Sequence, residues 1–195
     1  MFRRNDCMEG HYVLGLFLTF ASAALLAIGS VSTFIAPLTM LSVPSKHLTF
    51  GVFAYCTSST CHRGLGVSGP AYTEVITGLD NAQLLVPIGA GLELLAFLVL
   101  VVHLTESPFC DHHLWFRVTS FLGALVSLVA ALCGTALWSI ARKRFNNEGA
   151  PASFGDALWI VWGGTAAAML AFLIGGPAYN GTIMYRATPS RAYSV

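Results

Sequence analysis

Four long apolar stretches, separated by shorter polar connections, organise the chain: residues 12–36, 82–104, 114–141 and 157–176. Each reaches the roughly 20 residues a helix needs to cross the hydrocarbon of a bilayer. The first carries no charge and the second carries one carboxylate, Glu93. A soluble helix of this length would show a polar face, and LLAFLVLVVHL and LVSLVAALCGTALW show almost none. The pattern predicts an all-α membrane protein, a single bundle of four transmembrane helices. Both termini then share one side, with a loop at 37–81 and a tail at 177–195. The first stretch is read as a retained span, because its apolar core is about twice the 7 to 15 residues of a signal-peptide core and Asp6 and Glu9 dilute the basic run before it.

The loop at 37–81 breaks the pattern. Residues 48–56 are rich in aromatic and β-branched side chains and 72–77 form a second β-like run, with Gly64, Gly66, Gly69 and Pro70 between them. A small antiparallel hairpin is predicted here. Within it Cys56 and Cys61 bracket Thr57 to Thr60, a turn-forming run able to bring the two sulfurs together. Closing so short a loop restricts the unfolded chain by about 2 kcal/mol, a local staple. Of the five cysteines, Cys7, Cys110 and Cys133 have no evident partner. Cys7 and Cys110 are juxtamembrane positions of the kind that accept a palmitoyl chain, although a free thiol is the default.

Composition sharpens the class. The 195 residues are 55% hydrophobic and 10% charged, with mean hydropathy +0.70, far from a soluble domain. The net charge of +1 and the lack of a basic stripe argue against a nucleic-acid partner. Charge does not orient the bundle: Arg3, Arg4, Arg117, Arg186 and Arg191 fall on the side of the termini, and Lys46, Arg63, Arg142, Lys143 and Arg144 on the other. The cysteine pair decides, because a disulfide persists only in an oxidising space. The loop at 37–81 is then extracellular and the termini are cytoplasmic.

The run Gly51-Val52-Phe53, two residues later Cys56, then Cys61 and the glycines Gly64 and Gly66, resembles the first loop of the fungal SUR7/PalI family. That family shares its layout with claudin- and PMP22-like proteins, and the PalI branch is the most similar. The specific likeness covers about residues 50–66. It implies a plasma-membrane organiser without enzymatic activity, which assists a partner such as a multi-spanning ambient-pH sensor or marks eisosome-like cortical domains. The partners implied are integral membrane proteins and lipid, with no small-molecule substrate and no cofactor. Two other readings share the layout: an accessory subunit of a channel or receptor, and a membrane thiol oxidoreductase. The latter is disfavoured, because such enzymes use a Cys-x-x-Cys pair together with a partner pair.

Two further features bear on chemistry. Glu93 is an ionisable group at membrane depth, read either as a protonation switch or as a buried carboxyl hydrogen-bonded to Ser or Thr of a neighbouring helix. His103, Cys110, Asp111, His112 and His113 cluster near one turn, but adjacent histidines diverge by about 100° on a helix and no second ligand group at zinc-site spacing exists. No metal site is expected. No nucleotide-binding or protease motif is present either. The sequon Asn180-Gly181-Thr182 lies just past the fourth span, so termini-inside topology predicts an unmodified Asn180. A mobility shift of the cell-expressed protein on deglycosylation would overturn that topology.

Overall fold

The computed structural model describes residues 10–32, 38–57, 60–63, 81–104 and 112–175. Four helices dominate it: α1 (Gly10–Ser30), α2 (Leu85–Leu104), α3 (His112–Asn147) and α4 (Asp156–Ile174). All four are long and apolar enough to cross a membrane. They close into a ring in which α1 packs on α2 and α4, and α3 packs on the same two. A 3₁₀ turn, Ala82–Leu84, leads into α2. The first helix stops at Ser30, short of the expected 36. There Ser30 turns its hydroxyl onto the Ala27 carbonyl at 2.7 Å, a local bond that competes with further helix.

α3 departs most from expectation. Its 36 residues span about 54 Å at 1.5 Å per residue, against about 30 Å of hydrocarbon. The helix does not end at 141, ahead of the basic cluster Arg142-Lys143-Arg144. It continues to Asn147, and Trp138, Ala141 and Phe145 are fully buried along one face of the extension. Gly149, at φ 78°, reverses the chain, and the Ala150 amide donates to the Phe145 carbonyl at 3.0 Å, the kind of glycine stop that closes helices.

What covers this extension is a sheet of five strands: β1 (Leu41–Val43), β2 (Leu48–Phe50), β3 (Ala54–Cys56), β4 (Cys61–Arg63) and β5 (Ser153–Phe154). Their order is β4-β3-β2-β1-β5, antiparallel throughout. The stapled hairpin expected from the cysteine spacing is β3–β4, with Cys56 opposite Cys61. The rest of the sheet was not foreseen. The apolar run 48–56 is not one strand, because it folds back at Gly51, whose amide donates to the Ala54 carbonyl at 3.0 Å. Residues 72–77, expected to pair with it, lie outside the described residues, as do Gly64 and Gly66.

β5 comes from the α3–α4 connection and ties the two loops together. The Gly155 amide donates to the Met40 carbonyl at 2.9 Å and the Ala157 amide to the Thr39 carbonyl at 3.1 Å. The orphan donors that open α4 are thus partly satisfied by the first loop. The chains approach so closely that a Cβ on Gly155 would collide with the Thr39 carbonyl and side chain. The core is correspondingly continuous, running from Leu41, Val43, Leu48 and Phe50 of the sheet through Trp138, Ala141 and Phe145 to Leu26 and Val161 within the bundle.

Gly155→Ala should therefore separate β5 from β1 and destabilise the folded protein in detergent by about 1–3 kcal/mol, the usual cost of overpacking. Gly91, with nothing within 4 Å of its would-be Cβ, is the control. Thermal melts should fall clearly for Gly155→Ala and stay unchanged or rise for Gly91→Ala; equal melts would contradict the close approach.

Candidate functional site

The strand register sorts the sheet into two rows. Phe154, Leu41, Phe50, Tyr55 and His62 are successive cross-strand neighbours on one face, and Ser153, Ser42, Thr49, Cys56 and Cys61 on the other. Successive residues of a strand point to opposite faces, so one row goes inward and one outward. The inward row sits on α3. The Phe50 ring lies 5.9 Å from the Trp138 ring and 5.9 Å from that of Phe145, and Tyr55 continues the row at 6.4 Å from Phe50. Offset and tilted aromatic pairs of this kind contribute about 0.5–1.5 kcal/mol each beyond area burial. At the outer edge His62 stacks on Tyr55, with centroids 5.0 Å apart.

Cations pin the margins. The Arg142 guanidinium lies over the Phe154 ring at 4.9 Å, and its Nε donates to the Ala152 carbonyl at 3.1 Å. Lys46 Nζ lies 3.0 Å from Glu148 Oε2 and 5.3 Å from the Phe145 ring centroid. The exposed ion pair contributes little by itself, but it joins the β1–β2 turn to the end of α3. Lys46 and Arg142 thus serve the fold of the sheet.

The outward row is chemically different: three hydroxyls and the Cys56–Cys61 disulfide, formed in the structure. Beyond the disulfide, the Thr57 amide donates to the Thr60 carbonyl at 2.8 Å, and the Thr60 amide donates to Thr57 Oγ1 at 3.2 Å. The turn is thus held by backbone, side chain and sulfur together. The result is a small, uncharged, pre-ordered row of side chains.

The residues picked out in the sequence take distinct places. Gly51 and Val52 are buried, and Phe53 packs against the core; the Gly-Val-Phe run builds the β2–β3 turn and its plug. Cys133 is a half-buried free thiol inside α3. Cys7, Cys110 and Asp111 lie outside the described residues, as do the side chains of His103, His112 and His113. Among the described residues no three potential metal ligands gather.

Glu93 is fully buried within the bundle, and its carboxylate rests against Gly123 of α3, in contact with the place a Cβ would occupy. Among the described residues neither oxygen has a hydrogen-bond partner. Several hydroxyls in the bundle serve carbonyls instead: Thr19 Oγ1 donates to Gly15 O, Ser22 Oγ to Gly164 O and Ser127 Oγ to Ala124 O. The hydrogen bond to Ser or Thr that one of the two readings of Glu93 called for is not seen among the described residues. Sequence reasoning missed Phe154, Arg142 and the Trp138–Ala141–Phe145 face. The signal for that face was present as apolar residues at helical spacing through a charged stretch.

No protein-family model matches the chain, and no curated protein matches it. The fold itself defines the class: a multi-spanning membrane protein of four helices whose first loop carries a disulfide-linked sheet, consistent with a general claudin- and PalI-like layout.

Proposed function

We propose that this protein is a plasma-membrane organiser of the SUR7/PalI type, which holds or localises a partner integral membrane protein by means of the stapled sheet. The observation that carries the reading is the sheet's construction. Two loops, a disulfide and the α3 extension form one body, and among the described residues its outward row of hydroxyls and sulfurs packs beneath no helix. A sheet needed only to close the bundle would not require a staple on its most exposed hairpin. In this reading the role is non-enzymatic, the sheet faces the oxidising exterior and the termini are cytoplasmic. The partner is a larger multi-spanning protein such as an ambient-pH sensor, or the components of a cortical membrane domain.

The reading predicts a selective defect. Cys56→Ser with Cys61→Ser removes about 2 kcal/mol of local constraint, enough to loosen an edge hairpin but not helices whose backbone bonds are satisfied in lipid. The variant should reach the surface, yet lose a membrane partner that co-purifies with the wild type from mild detergent, and spread uniformly where the wild type is patched. Equal recovery of the partner and an unchanged distribution would refute the recognition role. A channel or receptor as the recovered partner would reassign the protein as an accessory subunit.

A further inference from the structure

α2 is apolar around its whole circumference, so no hydrophobic stripe tells it which face to turn inward. Nor does lipid supply the missing preference, because hydrocarbon is as apolar as the neighbouring helices. Yet α2 meets α3 in a single register, marked by three pairs. Gln83 Nε2 lies 3.0 Å from where a Cβ on Gly134 would stand, the Cβ of Ser127 lies 3.4 Å from that position on Gly89, and the Glu93 carboxylate fills that position on Gly123. From Gly89 to Glu93 on α2 the four-residue step is matched by four residues back along α3, from Ser127 to Gly123, as antiparallel helices require, and Gln83, in the 3₁₀ turn that leads into α2, continues the contact to Gly134. Gln83 and Glu93 each set a polar side chain into a glycine notch of α3, and at Gly89 the backbone of α2 comes into van der Waals contact with Ser127.

Glu93 is the member of this set placed deep in the span, where turning it outward would present a carboxyl to hydrocarbon. The spans of α1 and α4 carry no charged residue at 13–30 and 157–174, and over 114–140 α3 carries only Arg117, which is exposed. We infer that Glu93 is a positioning residue: seated in the Gly123 notch, it selects the inward face of α2 and sets its register on α3. The effect reaches the sheet, because Gln83, two turns or more above Glu93, lies against Gly134, one turn from the Trp138 that supports Phe50. This role is independent of the proposed partner binding.

Cross-linking in membranes tests it on the full chain. In a background with Cys7, Cys110 and Cys133 replaced by alanine, one protein carries Gly89→Cys with Ser127→Cys and a second carries Gly91→Cys with Ser127→Cys. A protease site placed between α2 and α3 reports whether the halves stay joined after oxidation. Residues two apart on a helix point about 200° away from each other, so the first pair should link and the second should not. Glu93→Leu should lower the first linkage about five-fold or more and raise the second, because the inward face is no longer selected. Glu93→Gln, which keeps the shape and the polarity, should restore the original pattern. Independently, Gly123→Ala should lower the first linkage and Glu93→Asp, one methylene shorter, should recover it. The inference is overturned if Glu93→Leu keeps the wild-type pattern, if Glu93→Gln loses it, or if Glu93→Asp gives no recovery in the Gly123→Ala protein.

Discussion

The seating of Phe50 between Trp138 and Phe145 is the contact on which the rest of the architecture depends. α3 is too long for the bilayer, and its last turns would expose apolar rings to water unless something covered them. The described part of the first loop offers one apolar face of short strands, none of which could stand alone. Each part solves the other's problem. Burying a ring as large as phenylalanine or tryptophan accounts for several kcal/mol, since truncating one to alanine in a core costs about 3–5 kcal/mol. From this seat the sheet extends to β5 on one side and to the stapled β4 on the other, so the loop becomes a continuation of the bundle.

Below the sheet the bundle is held by a different logic. In lipid the hydrophobic effect does not draw helices together, and close packing with buried polar contacts takes its place. Between α1 and α4 glycines supply the closeness: a Cβ on Gly164 would meet Leu26, one on Gly29 would meet Val161, and Gly175 approaches the backbone of Gly15. The Ser22 hydroxyl crosses that interface to the Gly164 carbonyl. α4 is tied to α3 by the Trp162 indole donating to Thr135 Oγ1 at 2.9 Å and by the Thr165 hydroxyl directed at the Ser127 carbonyl at 3.3 Å. α2 and α3 use notches filled by polar side chains instead. One half of the ring is thus set by small residues and the other by polar ones placed opposite them.

Hydropathy alone displayed the four spans, because backbone hydrogen bonding in lipid leaves a long apolar run little choice but a helix. The staple was legible for an equally local reason, two cysteines flanking a turn. What was hidden depends on contacts distant in sequence. FGVFAYC reads as one β-run because its alternation continues through Gly51, and only the partner strands reveal the fold-back. Ser153–Phe154 is too short to carry a period. Arg142-Lys143-Arg144 reads as a charged juxtamembrane run, and the neighbouring Phe145 turns inward only because a sheet is there to receive it. Glu93 was conspicuous as a residue, but the glycine opposite it on α3 could not be paired with it before the helix register was known.

If the sheet and the α3 extension are one cooperative body, their amides should open together. Hydrogen exchange on the intact protein in detergent measures this directly. The account predicts that residues 41–50 exchange as slowly as 138–145 on α3, both far more slowly than an exposed loop. Complete exchange of 41–50 within seconds, while 138–145 remain protected, would show that the sheet merely rests on the bundle and would contradict the account at its centre.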